Sequence, residues 1–202
     1  MPKRVDKETK RREIAEQAMN LFAKKGFSNT AIREITETAG ISKGSFYDYF
    51  TDKEDILNEI ALQIFSEWEK QALSTLADIK DPLKKLECIF VQSASAVTND
   101  FEKILFVYID LWRLGAASDT YKDFMGTFRD FLQGARNYIE ALLIEAMEKK
   151  LVKEDIDAEA IAASLIALID GYWLHFMIYN RKFDLASISK SFYKNLIEGI
   201  KR

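Results

Sequence analysis

Between Ser42 and Lys53 the chain sets out small hydroxyls, cations and phenols at helical spacing: Ser42, Lys43, Ser45, Tyr47, Tyr49 and Lys53. Ser45 and Tyr49 are four apart and share a helix face, with Lys43 and Tyr47 beside them. This set suits recognition more than bond breaking. Ammonium and phenol groups hold phosphate oxygens, while hydroxyls approach the edges of bases. Arg33 adds a guanidinium one short helix earlier. The chemistry it points to is binding of double-stranded DNA. Arg33, Lys43, Tyr47 and Lys53 are expected to hold phosphate, and Ser42, Ser45 and Tyr49 to lie nearer the bases.

The elements that must position these groups are legible around them. Gly26 follows a helical run and is placed like a C′ residue, where a left-handed conformation is easy. Phe27 packs back on the core, Thr30 is placed to cap the next helix, and Arg33 and Glu34 fall in its first turn. Ile32, Ile35 and Ala39 form one apolar stripe. Gly40 closes that helix, Ile41 plugs the turn, and Ser42 is the next N-cap. Phe46 and Phe50, four apart, anchor the second short helix inward. Asp52 or Thr51 starts a further helix with Lys53 in its first turn. A lysine there opposes the helix dipole, so a phosphate partner is expected. Helix, tight turn and helix is the layout of a helix-turn-helix that reads DNA.

Gly26-Phe27, Thr30, Ile35, Ala39 through Gly44, Tyr47, Phe50, Lys53-Glu54 and Leu57 together resemble the N-terminal signature of the TetR family of bacterial transcriptional regulators. The resemblance covers roughly residues 10–58, and many positions agree in register. It adds Thr30 and Gly44 to the residues expected at the DNA. It also implies a homodimer paired through the last two long helices, and a larger domain that binds a small molecule. Two positions depart from the family pattern. Ala31 stands where a second threonine is common, and Asp48-Tyr49 where Tyr-His is common. An aspartate on a DNA-facing helix repels phosphate or accepts from a cytosine amine.

Composition sets the class. Of 202 residues, 48% are hydrophobic and only two are proline, so an all-α protein with a substantial core is expected. The net charge of −3 is uneven. Residues 1–53 hold eleven Lys/Arg against eight Asp/Glu, net +3; the remainder holds eighteen against twenty-four, net −6. A basic head on an acidic body is the asymmetry expected when one end approaches phosphate. Cys88, the single cysteine, excludes an intrachain disulfide and suits a reducing cytoplasm; its neighbours Ile89 and Phe90 suggest a buried thiol. The charged N-terminus lacks the apolar stretch of a signal peptide. No membrane-spanning run is expected. Residues 158–179 come nearest, interrupted by Glu159, Asp170 and His175.

Along the chain, a helix is expected from Lys7 to Lys25, buried through Ile14, Ala18, Leu21 and Phe22. With the two short helices it forms a DNA-binding domain over residues 1–52. Residues 53–202 form a larger domain for ligand binding and dimerisation. Its helices are expected from Lys53 to Ala77, Pro82 to about Thr98, Phe101 to about Leu114, Ser118 to Lys149, Asp157 to about Asn180, and Asp184 or Ser187 to the end. The helix from Phe101 is apolar on nearly every face and therefore buried.

Within the larger domain, Ala163, Ala167 and Gly171 stand four apart and would let another helix approach closely. With Phe192 and Leu196 of the last helix they are the expected dimer interface; ordinary packing within one chain is the alternative. Aromatic residues are abundant: Phe65, Trp68, Phe90, Phe106, Trp112 and Phe128, then Tyr172, Trp173 and Phe176. Asp110 and Arg113 add charges among them. Apolar walls with a few polar groups describe a small-molecule pocket, and the expected ligand is mostly hydrophobic or aromatic. A plain core with Asp110 and Arg113 paired is the alternative. His175 is expected as a hydrogen-bonded core residue. There is no nucleophile elbow, phosphate loop or metal-ligand cluster, so no enzyme, metal or cofactor is expected. The expected function is a dimeric repressor released from a palindromic operator by a small molecule. An activator, or a DNA-binding protein without a ligand, is the other possibility.

Overall fold

A computed structural model describes residues 7–95, 122–179 and 182–202. Among the described residues there are eight α-helices and no strand: α1 (Lys7–Lys25), α2 (Ile32–Thr38), α3 (Lys43–Tyr47), α4 (Lys53–Leu76), α5 (Pro82–Ser95), α6 (Lys122–Glu148), α7 (Ala158–Ile178) and α8 (Leu185–Ile200). Phe106, Asp110, Trp112 and Arg113, with the helix expected around them, lie outside the described residues.

The helix limits follow from local chemistry. Gly26 and Gly40 take φ of 82° and 64°, the left-handed conformation that ends α1 and α2. Ser42 caps α3, its Oγ accepting from the Ser45 N–H at 3.0 Å. Asp52 caps α4 by accepting from the Asp55 N–H at 2.8 Å. Asp81 accepts from the Leu83 N–H at 2.9 Å in front of Pro82, whose missing N–H costs nothing at a helix start. Asp157 and Asp184 cap α7 and α8 through the Ala160 and Ser187 N–H groups, at 2.9 and 3.0 Å.

One cap differs from expectation. The N-cap of α2 is Ala31, which has no side-chain acceptor; the Glu34 carboxylate instead accepts from the Ala31 N–H at 3.0 Å. Thr30 is 1% exposed, and its hydroxyl donates to the Gly26 carbonyl at 2.9 Å. The threonine therefore closes the end of α1 rather than capping α2.

The chain divides into two compact units whose described parts are residues 7–68 with 122–129, and residues 69–95 with 130–179 and 182–202. The division falls inside α4 and inside α6. In the first unit the core joins Ile14, Ala18 and Phe22 of α1 to Ile35, Phe46, Phe50, Ile56 and Leu57. In the second, Leu86 and Phe90 of α5 meet Ile139 and Leu143 of α6, Leu165 and Ile169 of α7, and Tyr193 and Ile197 of α8. Tyr193 donates to the Leu83 carbonyl at 2.5 Å, and Trp173 Nε1 donates to the Ser93 carbonyl at 3.0 Å. Burial, helped by the nearby Glu87 and Asp81 charges, pushes the Tyr193 phenol well above its ordinary range, so it stays a donor.

Helix α7 spans 21 residues and is long and apolar enough to cross a membrane. That revises the expectation of no spanning run. Ala162, Leu165, Ile166 and Ile169 of the same helix are nonetheless buried in the second unit's core. His175 also departs from expectation. It is exposed near the end of α7, edge-on to Tyr179 at 6.1 Å and to Phe183 at 5.7 Å. Cys88 is half-buried rather than buried.

Candidate DNA interface

Helix α3 has one buried side and one open side. Phe46 and Phe50 are fully buried, with ring centroids 5.8 Å apart, and hold the helix against α1 and α4. Opposite them Ser42, Lys43, Gly44, Tyr47 and Asp48 are exposed. Tyr47 is 53% exposed and stands edge-on to Phe46 at 5.3 Å. Ser45 and Tyr49 are half-buried rather than open. The Ser45 hydroxyl lies 2.9 Å from that of Ser42, and Tyr49 packs against the first core. The residues most open to a partner on this helix are therefore Lys43, Gly44 and Tyr47.

Arg33 projects from α2 with its side chain 85% exposed, paired to Glu37 at 2.7 Å. The hydrogen bond and charge of Glu37 raise the guanidinium further above its already high range, so it is a permanent cation. Glu34, beside it, is held below the usual carboxylate range, first by a hydrogen bond from Lys25 and then by the Ala31 N–H. The Lys25–Glu34 pair ties α1 to α2.

Lys53 is placed differently from the sequence expectation. Its ammonium donates to the Phe27 and Thr30 carbonyls at 2.7 and 2.9 Å and sits 4.2 Å above the Phe27 ring. These carbonyls account for a cation at the unfavourable end of α4 without a phosphate. Sequence reasoning also missed Arg11. Its guanidinium lies 4.3 Å over the Phe50 ring and donates to Asp55 at 3.2 Å, to Glu59 at 3.1 Å and to the Tyr49 carbonyl. Its only signal was a basic residue on the polar side of an amphipathic helix.

The residues expected to bind a small molecule fall into separate groups. In the first unit Phe65 lies 6.0 Å from Trp68 and 5.7 Å from Phe128. In the second, Phe90 is fully buried 6.1 Å from Tyr172, and Trp173 is half-buried. Phe176 is half-buried on α7. Burial raises the Asp170 carboxyl above its ordinary range, an effect that Arg136 opposes, and it raises the Tyr172 phenol. Among the residues expected at a dimer interface, Ala167 is exposed, while Ala163, Gly171, Phe192 and Leu196 are half-buried. A Cβ built at Gly171 would meet open space. Among the described residues no cluster of His, Cys, Asp and Glu is placed to hold a metal.

A short helix that is buried on one side by phenylalanines, with cationic and phenolic groups on the other and a glycine turn before it, defines a helix-turn-helix DNA-binding regulator. Comparison with known proteins agrees. Residues 14–60 match the family described as bacterial regulatory proteins, tetR family, and residues 107–192 match the C-terminal domain of BetI-type transcriptional repressors. The Fatty acid metabolism regulator protein of Bacillus subtilis (strain 168) is 24% identical over 198 residues, covering 96% of this chain and 97% of the relative. The HTH-type transcriptional regulator PksA of the same strain is 28% identical over 199 residues, covering 98% and 90%. The crystal structure of the transcriptional regulator FadR from Bacillus subtilis in complex with stearoyl-CoA matches with a TM-score of 0.76 at 21% identity, covering 94% of this chain and 98% of that one. The chain belongs to the TetR family of bacterial transcriptional regulators.

Proposed function

We propose that this regulator is a homodimeric repressor that leaves a palindromic operator when a mostly apolar small molecule binds its larger domain. The observation that carries the DNA half is the open side of α3, where Lys43, Gly44 and Tyr47 stand over a fully buried Phe46–Phe50 anchor. Lys43, Tyr47 and Arg33 hold phosphate. Ser42, Ser45 and Tyr49 lie nearer the bases, and Thr30 acts from within by tying the link before α2 back to the end of α1. In this reading residues 1–52 read DNA and residues 53–202 sense and pair.

The dimer is supported by α7. One side buries Ala162, Leu165, Ile166 and Ile169, while Ala167, Leu174 and Ile178 are exposed and the space over Gly171 is open. A second copy paired there, with Phe192 and Leu196 of α8 beside it, would cover that side. A two-fold pair then presents two reading helices to half-sites about 34 Å apart. Release follows from stiffness. α4 starts at the helix-turn-helix and continues into the second unit, so a ligand that shifts α4 changes the half-site spacing. Reciprocal coupling of roughly 1–3 kcal/mol between ligand and DNA is expected. Long-chain acyl-CoA thioesters are the first effectors to add, because the similar Bacillus subtilis FadR was crystallised with stearoyl-CoA.

The test is fluorescence anisotropy of the full chain on duplexes from its own upstream region, over a salt series, with and without stearoyl-CoA. Tight binding that needs both half-sites and weakens with the thioester supports the reading. Equal binding to scrambled duplexes would remove the operator half, and undiminished affinity at saturating thioester would remove that effector class.

A further inference from the structure

Lys53 is the first residue of α4, the end of a helix at which a cation is disfavoured. Its Nζ lies 2.7 Å from the Phe27 carbonyl, 2.9 Å from the Thr30 carbonyl and 4.2 Å from the Phe27 ring centroid. Phe27 and Thr30 are both buried and bracket the link between α1 and α2. That link runs outside the helix ladders: the Phe27 carbonyl accepts from the Thr30 N–H at 3.2 Å, and Lys53 adds a charged donor to it and to the Thr30 carbonyl. Charge-assisted bonds of this kind are stronger than neutral ones, and the ring face adds an attraction.

We propose that Lys53 is a positioning residue for DNA reading: it bolts the entry of α2 to the start of α4, so that the reading helices and α4 move as one piece. The proposal rests on the DNA-binding reading of α3. Arg11 supplies the matching bolt at the exit of α3, through the Tyr49 carbonyl, Asp55, Glu59 and the Phe50 ring. With both ends of the helix-turn-helix held, a displacement of α4 passes to α3 instead of being absorbed in the turn at residues 48–52. Phosphate is then not the principal partner of Lys53.

Two measurements test this on the full chain. In wild-type protein, reductive methylation mapped by mass spectrometry reads each amine. Exposed Lys43 should react readily, and Lys53 slowly whether or not duplex is present. Lys53 reacting as fast as Lys43 in free protein, and slowing only on DNA, overturns the bolt. The second measurement compares Lys53→Met with wild type on the best upstream duplex and on a scrambled one. Expected is a roughly tenfold loss on the best duplex, the size of one misplaced base contact. The scrambled duplex should change by less than about twofold and the salt slope should stay, since losing one phosphate contact lowers that slope by about 0.9. Equal losses on both duplexes with a lower slope would make Lys53 a phosphate ligand. No loss on either would leave it as internal packing alone. If the variant does not fold, the methylation result decides. If wild type does not discriminate between duplexes, the DNA-binding reading fails on its own, and methylation still reads the bolt.

Discussion

The unit that carries the helix-turn-helix closes its core with Phe22, Phe27, Phe46 and Phe50 and braces it with two cations, Arg11 and Lys53. The second unit closes with aliphatic stripes around Phe90 and braces them with neutral donors, the Tyr193 phenol and the Trp173 indole. The braces also differ in reach. Lys53 and Arg11 join residues 23 to 48 apart, whereas Trp173 and Tyr193 join residues 80 and 110 apart. A small reading domain has little apolar area to bury. Rings with charge-assisted bonds to carbonyls let few residues hold a fixed shape. The second unit also has charged ties near its end, Lys153 to the Gly199 carbonyl at 2.8 Å and Arg202 to Glu154 at 3.3 Å.

The largest effect expected is from Phe46→Ala, which removes a fully buried ring from the first core. It should cost about 3–5 kcal/mol and abolish DNA binding. Hydrogen exchange should show the loss in α1 to α3 while α5, α7 and α8 stay protected. If protection falls equally in both units, the contrast between separately braced cores breaks. Tyr193→Phe comes next. It removes one of the bonds to the Leu83 carbonyl, which keeps its place in the helix ladder, and should cost about 0.5–1.5 kcal/mol in urea unfolding. That cost should be the same at low and high salt, unlike the cost of removing Arg11.

Two residues, one from each unit, sit against their backbone preference in contrasting ways. Gly44 lies inside α3, where an added Cβ would meet only Ser42 Oγ at 3.7 Å, an ordinary contact. Lys150 follows α6 at φ 57°, where glycine is favoured. Gly44→Ala and Lys150→Gly should each stabilise the fold by up to about 1 kcal/mol, read as a rise in Tm. The comparison sharpens in their binding. Lys150→Gly should leave DNA affinity alone, whereas Gly44→Ala should lower it, because the open side of α3 needs close approach. Unchanged affinity in both would show that Gly44 has no role at the DNA.

The smallest effect expected concerns pH. Burial raises the Asp170 carboxyl above its unfolded value despite Arg136. The folded state therefore holds this proton more tightly, and the carboxyl lowers stability as pH rises from the unfolded value through the folded one. Asp170→Asn should raise stability at neutral pH and flatten the acid side of the profile. A decrease at neutral pH would mean that the ionised carboxyl is held by a favourable partner.

The reading helices were legible because their signals are local. Gly26, Gly40, Ser42 and Asp52 each act on groups within four residues, and the Phe46–Phe50 spacing names a buried side. The same logic placed helix starts at Pro82 and Asp157 and left Asp184 or Ser187 for the last helix, where Asp184 is the cap. It failed at Thr30, whose hydroxyl turns back to Gly26, because a threonine before a helix can serve either end of the link. It also failed at His175, whose exposure depends on neighbouring elements. On α8 the line expected at the dimer interface, through Phe192 and Leu196, is half-buried, and the buried line beside it runs through Leu185, Ser189, Tyr193 and Ile197.

The sequence by itself determined an all-α regulator with a helix-turn-helix near its start, because capping, glycine turns and helical spacing act over a few residues and need no partner. Tertiary structure decided which cations are held by the protein's own carbonyls. The dipole mismatch at Lys53 was readable as a question, but the carbonyls that answer it lie 23 and 26 residues away. A charge takes its role from the nearest acceptors in space, and only folding brings those together.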